Sequence, residues 1–321
     1  MGTRITFQNN SYPCGDESVL DRLLKAGVFI PHSCKSGLCQ ACEMKLIEGE
    51  VPQKSTAGLS DHKIQAKHFL ACQCFPEQDL KISLVDENTQ CIEVTVIDKV
   101  KVNRSIIKLV LEPKETVNYL AGQYLRLYQT ERECRCYSIA SNPDQEDFIE
   151  LHIQIIANGK VSNWIAEEVM VGDTLRISEA MGSCIYPDHN TASTLFVASN
   201  SGLAPIYGMI KKALSQGDQQ PLHLMHGITH EKDKYLVAEL TALQQLHHNL
   251  TVDWFDYSQI KEEKHRSFIH FALTRIPSPQ DWKVYFCGHP ELVSYGKKQF
   301  FLKGVSMKNL YSDAFLPSKV N

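Results

Sequence analysis

Cys34, Cys39 and Cys42 stand in C-x4-C-x2-C spacing, and Cys72 follows twenty-nine residues later. Four thiolates so spaced close on a [2Fe–2S] cluster, an inorganic core that takes one electron at a time. Wrapping a loop around such a core brings backbone N–H groups close to the sulfides. Gly37 suits that approach because it lacks a side chain and can take positive φ. The small or polar neighbours Ser33, Ser36 and Ala41 leave amides free to point inward, and hydrogen bonds to sulfur tune the potential. Zinc is the first competing occupant, but structural zinc sites usually pair two close ligand steps, and here there is a single C-x2-C step. Disulfides suit secreted chains, and the sequence shows no secretory signal.

A second set of residues has the chemistry of a flavin site. In Arg135-Cys136-Tyr137-Ser138, residues 135 and 137 share one face of a strand. An arginine there pairs with a phosphate, a tyrosine stacks on a planar ring, and Ser138 on the other face offers a hydroxyl to a ring nitrogen or carbonyl. Some twenty residues on, Asn158-Gly159-Lys160-Val161-Ser162 reads as a glycine turn opening a helix, whose first amides suit a pyrophosphate. Each segment alone also fits an ordinary strand or a plain capped helix. Their order behind a cysteine loop is what argues for a flavin.

Three stretches of different patterning position these groups. Residues 1–90 carry expected strands at 3–8, 43–48 and 80–85, a helix at 17–27, and a polar linker at 86–90. Residues 91–188 alternate apolar and polar positions, as in Ile92–Ile97, Ile106–Leu111 and Ile149–Ile155, which signals an antiparallel barrel or sandwich with one helix at 161–169. Residues 189–321 change rhythm. Strands at 194–199, 222–226, 251–256 and 283–287 alternate with helices at 203–215, 235–248 and 290–302, a βαβ order that implies a doubly wound parallel sheet.

Composition narrows the class of function. The 321 residues are 43% hydrophobic and 22% charged with a net charge of −4, which points away from nucleic acid and membrane surfaces. No apolar run approaches the roughly 18 residues of a membrane span. Met1-Gly2-Thr3-Arg4-Ile5-Thr6 formally matches a myristoylation pattern, but reads better as the start of the first strand. Of the eleven cysteines, Cys14, Cys74, Cys91, Cys134, Cys136 and Cys184 are expected as small buried hydrophobes in a reducing cytoplasm.

Taken together, the four cysteines, Arg135-x-Tyr137-Ser138, Gly122-Gln123-Tyr124, Cys287-Gly288 and the closing Leu310–Phe315 resemble the ferredoxin–NADP reductase superfamily over essentially the whole chain. The resemblance is to members with an N-terminal ferredoxin domain, the reductase components of oxygenases and of deoxysugar dehydratases. It implies a β-grasp ferredoxin domain, a β-barrel flavin domain and an α/β nucleotide domain. By resemblance, FAD is held by Arg135, Tyr137, Ser138, Lys160, Val161 and Ser162. The nucleotide meets Ser201 and Gly202, Cys287 and Gly288 lie by the nicotinamide, and Phe315 lies by the flavin. Ser138 and Cys287 stand nearest the reacting atoms, with no covalent intermediate expected on Cys287.

The resemblance further implies electrons passing from NADH through FAD and the cluster to a separate acceptor protein. That acceptor is an oxygenase component or, alternatively, an iron–sulfur deoxysugar dehydratase. Two departures stand out. Ser199-Asn200-Ser201-Gly202 replaces a turn that is usually glycine-rich, and His289 follows Cys287-Gly288 where a proline is common. The first raises a rival expectation, a redox sensor with impaired nucleotide binding. No arginine follows the strand at 222–226, which favours NADH over NADPH despite Lys232 and Lys234. The chain is expected to be a cytoplasmic monomer.

Overall fold

The computed structural model of the chain describes residues 3–28, 30, 32, 35, 37, 40, 42–59, 61–85, 91–130, 133–276 and 278–315. The expected ligands Cys34 and Cys39 and the linker at 86–90 lie outside the described residues.

The first unit opens with β1 (Thr3–Phe7) and β2 (Asn10–Cys14), an antiparallel hairpin. Its two turn residues, Gln8 and Asn9, both take positive φ, as a turn matched to the strand twist requires. Helix α1 (Val19–Lys25) starts where the Ser18 hydroxyl accepts a hydrogen bond from the Asp21 amide, and it buries Val19, Leu20 and Leu23. Strand β3 (Glu43–Glu48), helix α2 (Asp61–Gln65), β4 (His68–Leu70) and β5 (Leu80–Leu84) complete the unit. The sheet order is β2-β1-β5-β3-β4, with β1 and β5 parallel and the other pairs antiparallel. One mixed sheet and one packed helix make the expected β-grasp, around Ile5, Phe7, Leu20, Leu23 and Phe69.

The second unit contains β6 (Ile92–Lys101), β7 (Ile106–Pro113), β8 (Tyr124–Tyr128), β9 (Cys134–Ser138), β10 (Ile149–Gln154), helix α3 (Lys160–Glu167) and β11 (Thr174–Ile177). The antiparallel order is β10-β7-β6-β11-β8-β9, and a bridge from Ile139 to Leu151 joins the two edges. Closure removes the exposed edges and settles the choice between sandwich and barrel in favour of the barrel.

The third unit runs β12 (Thr194–Ser199), α4 (Leu203–Ser215), β13 (Leu222–Ile228), α5 (Val237–Leu246), β14 (Leu250–Asp256), α6 (Lys264–Arg275), β15 (Lys283–Gly288), α7 (Pro290–Leu302) and β16 (Leu310–Ala314). All four strand pairs are parallel, in the order β14-β13-β12-β15-β16. The order in which strands are added reverses between β12 and β15, which is where ligands bind in such sheets. Every residue of β12 is buried, as a central strand covered on both faces must be. Sheet membership changes between Leu84 and Ile92 and again between Ile177 and Thr194.

Barrel and parallel sheet share a core: Ala140, Cys184 and Tyr186 pack with Phe196, Leu203 and Ile210. A charged clasp closes one side of the seam, where Asp233 lies 2.6 Å from Arg104 and its carbonyl accepts from Asn103. Three of the spare cysteines, Cys14, Cys74 and Cys184, are buried as expected, and burial pushes the Cys74 thiol up to about 12. The expectation fails for the other three: Cys91 is exposed, and Cys134 and Cys136 are half-buried because they face outward on β9. Among the described residues no helix is long and apolar enough to cross a membrane.

Candidate functional site

The described cluster ligands come together. Cys42 and Cys72 are both buried, and the Cys72 amide donates to the Cys42 sulfur at 3.4 Å. Three described residues of the loop (Lys35, Gly37 and Gln40) have positive φ, so the backbone turns repeatedly. A Cβ on Gly37 would sit 2.9 Å from Gln73, whose side chain also spans to the Lys35 carbonyl and the Cys72 sulfur. Buried sulfurs with an amide aimed at one of them fit a thiolate-held cluster, whose potential such bonds tune.

The flavin residues divide between the two faces of β9, as alternation requires. Tyr137 pairs with Leu125 and packs on the barrel core, where burial pushes its phenol up. Arg135, one step down the same face, donates to the Cys134 carbonyl, and among the described residues no carboxylate pairs with it. Helix α3 begins beside it, because Lys160 reaches Glu133 at 2.6 Å. The helix starts at Gly159 with no side-chain cap, so the amides of residues 160–162 stay available. The Ser162 hydroxyl is turned inward onto the Ile156 amide, so it shapes the turn and offers a ligand only its backbone N–H. A guanidinium that no described carboxylate neutralises, next to an uncapped helix start, fits a pyrophosphate.

On the opposite face of β9, the Ser138 hydroxyl donates to Asp313 at 3.0 Å. Asp313 lies on β16, in register with Cys287 on β15. The sequence reading included Asp313 in the closing segment but gave it no role, since β16 is a five-residue strand without strong alternation. Cys287 is fully buried, and contact with the Cys184 thiol, together with burial, pushes its own thiol well up. It therefore stays protonated, in keeping with a packed group and not a nucleophile. The Phe315 amide donates to the Gly288 carbonyl at 2.7 Å, which places the last described aromatic at the same edge.

The turn after β12 completes the edge. Asn200 takes φ +49, the left-handed conformation that asparagine tolerates better than other side chains. A Cβ on Gly202 would lie 2.9 Å from the Gly288 nitrogen and closer still to the Cys287 carbonyl. Gly202 is thus required by the neighbouring strand itself. Ser201 is buried and its hydroxyl reaches Gln154 of the barrel at 3.4 Å.

An open cleft of about 510 Å³ lies at the carboxyl ends of β13, β14 and β15, lined by His230, Tyr257, Lys264, His265 and His289 among others. Lys261 and Arg266 also face it, and Arg266 pairs with Glu263. His265, His289 and Glu291 bring their ligand atoms within 4.8 Å of one another. The two imidazoles are stacked, 4.3 Å apart and 14° from parallel. A metal ion lies in the plane of each imidazole that binds it, so rings stacked this way do not aim at one ion.

Comparison with known proteins gives this geometry a family. Residues 5–77 match the 2Fe-2S iron-sulfur cluster binding domain, residues 92–186 the oxidoreductase FAD-binding domain, and residues 196–298 the oxidoreductase NAD-binding domain. The chain belongs to the ferredoxin–NADP reductase superfamily. It is an NAD(P)H-dependent flavin and iron–sulfur oxidoreductase.

Among its relatives, the CDP-6-deoxy-L-threo-D-glycero-4-hexulose-3-dehydrase reductase of Yersinia pseudotuberculosis is 28% identical over 317 residues, covering 95% of each chain. The naphthalene 1,2-dioxygenase system ferredoxin–NAD(P)(+) reductase component of Pseudomonas putida is 27% identical over 311 residues, covering 94% of each. The Amycolatopsis cytochrome P450 reductase GcoB shares the fold of this reductase, with a TM-score of 0.67 at 23% identity over 98% of this chain and 99% of that one.

Proposed function

We propose that this reductase draws a hydride from NADH at the seam between barrel and parallel sheet and feeds electrons to an oxygenase component. The observation that carries the site assignment is the Ser138–Asp313 hydrogen bond, which joins the flavin-motif strand to the strand paired with Cys287. Residues 1–90, 91–188 and 189–321 are then the cluster, flavin and nucleotide domains. Bound FAD supplies the conversion of paired into single electrons, and the cluster supplies the one-electron outlet.

The chain's own residues bind, orient and exclude water. Cys34, Cys39, Cys42 and Cys72 hold the cluster. Arg135 and the amides of Lys160, Val161 and Ser162 hold the pyrophosphate of FAD, with Tyr137 against the ring system. Ser138 keeps its proton between Asp313 and the place of ring chemistry. Cys287, Gly288 and Phe315 shape the nicotinamide face, and Ser201 and Gly202 present the turn that faces the nucleotide. The open cleft takes the adenosine half, which by general rule lies outside the carboxyl ends of parallel strands. Its Lys261, Lys264 and Arg266 come from the α6 region and not from the strand at 222–228, so NADPH fits its charge alongside NADH.

A deoxysugar dehydratase is a second acceptor, favoured by the dehydrase reductase relative matched over nearly its whole length. A monomer in the reducing cytoplasm belongs to the same reading. Anaerobic mixing with NADH tests the core of the reading. Rapid bleaching of both flavin and cluster absorbance is expected, and failure to bleach with either NADH or NADPH overturns it.

A further inference from the structure

Strand β8 presents Leu125 and Leu127 to the barrel core, so Arg126 between them faces outward. There it meets the first unit: its Nη2 donates to the Gln40 carbonyl at 3.1 Å. Gln40 is buried, sits in sequence between the ligands Cys39 and Cys42, and has φ +51. Its carbonyl also accepts from the Glu43 amide at 3.2 Å, and its side chain donates to the Gly58 carbonyl at 2.6 Å. On the barrel side Arg126 is in register with Cys136, two residues before Ser138 and roughly 7 Å along the strand. One side chain therefore joins the cluster loop to the strand that carries the flavin motif.

Burial works against this cation, and the Tyr128 side chain is its neighbour on the barrel side. Nε is buried with no hydrogen-bond partner, and among the described residues no carboxylate pairs with the guanidinium. Burying a charge without a counter-charge is unfavourable, and an apolar side chain would fill the seam at less cost. The cluster offers the missing counter-charge. Two ferric ions, two sulfides and four thiolates sum to two negative charges, and one added electron makes three.

We propose that Arg126 is a positioning residue that seats the cluster loop on the flavin barrel and, through its charge, draws the transferred electron toward the cluster. This rests on the electron route given above. At a separation on the order of 10 Å and an effective dielectric of ~20, one unit charge shifts a one-electron equilibrium about tenfold. For a one-electron couple that is about 59 mV.

The test compares holoprotein with Arg126→Gln and Arg126→Lys. Cluster potentials come from titration with a chemical reductant followed by electron paramagnetic resonance. Flavin reduction by NADH is timed separately, and amide exchange is read at Glu43. Arg126→Gln is expected to lower the cluster potential by the equivalent of about tenfold while leaving flavin reduction by NADH unchanged. Arg126→Lys keeps the charge and is expected to stay within about threefold, yet it raises exchange at Glu43, because a flexible ammonium does not hold Gln40 in place as the planar guanidinium does and the loop loosens. An unchanged potential in Arg126→Gln overturns the electrostatic role, and unchanged Glu43 exchange in both variants overturns the seating role. Should Arg126→Gln fail to fold, the lysine variant decides: a potential shifted as far as tenfold with the charge retained also overturns the electrostatic role. A protein that takes no electrons from NADH overturns the route alone, since the chemical titration still judges Arg126.

Discussion

Replacing His226 tests how the nucleotide turn is held. This imidazole is fully buried on β13, and its Nε2 donates to the Asn200 carbonyl at 2.9 Å, bracing the residue that takes positive φ. Trp254 and Tyr235 pack against the ring, and Nδ1 has no hydrogen-bond partner. Protonating Nδ1 would place an unpartnered N–H and a charge in an apolar setting. Burial accordingly lowers the pKa from 6.5 to about 4, against a small upward pull from the Asn200 bond, with His152 adding to the drop.

The sign follows from linkage. A depressed histidine stabilises the fold above its unfolded pKa, and that stability drains away as pH falls from 6.5 toward 4. Near pH 5 the unfolded chain is protonated and the native ring is not. The loss relative to pH 8 is then about 2 kcal/mol, at 1.36 kcal/mol per pKa unit. His226→Gln keeps a donor for Asn200 and removes the titration. Denaturant melts of both proteins at about pH 8 and about pH 5 should show the variant losing about 2 kcal/mol less than wild type. Other titrating groups cancel in that difference. Identical pH dependence in the two proteins would refute the argument.

Cys72→Ser should abolish the cluster's paramagnetic signal while NADH still bleaches the flavin, because the barrel and parallel sheet keep their own shared core. Ser138→Ala and Asp313→Asn should each slow flavin reduction by about tenfold in single-turnover mixing, the worth of one well-placed hydrogen bond. Gly288 has φ +125, and a Cβ there would lie 2.8 Å from the Ser199 carbonyl, so Gly288→Ala should cost about 2 kcal/mol or more in denaturant melts and impair NADH use, with FAD absorbance retained. Lys264 faces the cleft, and its ammonium lies 5.7 Å from the Tyr257 ring centroid; Lys264→Ala should lower kcat/KM for NADPH several-fold more than for NADH.

Elements with a well-buried face were the most legible. Helices α4 and α7 and strand β12 lie where the apolar runs put them, and β12, covered on both faces, reads as one apolar block. Short edge elements escaped. Strand β2 is mostly exposed, and β4 is three residues long, so neither leaves an alternation to read. Helix α6 follows a left-handed Glu263 and mixes charged and apolar residues, so it offered no clear start. That omission mattered, because α6 and the residues before it bring lysines and an arginine to the cleft. The preference for NADH had rested on the lack of an arginine after β13, where only Lys232 and Lys234 follow. Residues that act by meeting across units, such as Asp313 with Ser138 and Arg126 with Gln40, have partners more than eighty positions away. Spacing within one motif cannot reveal them.

The turn at 199–202 shows how a motif can change residue types and keep its geometry. Glycine serves such turns in two separable ways, by allowing positive φ and by permitting close approach. Asn200 supplies the first at φ +49, with its carbonyl fixed by His226. Gly202 retains the second, but the backbone it admits is that of Cys287 and Gly288. The Ser199 hydroxyl accepts from the His289 amide at 3.0 Å, tying the ends of β12 and β15 from the other side. Turn and Cys-Gly corner therefore form one interlocked unit, and the loss of glycines within it does not open or collapse the nucleotide edge. Gly202 and Gly288 are thus required by the fold itself, since a side chain at either would collide with the backbone of the neighbouring strand, and the nucleotide edge keeps its shape without a glycine-rich turn.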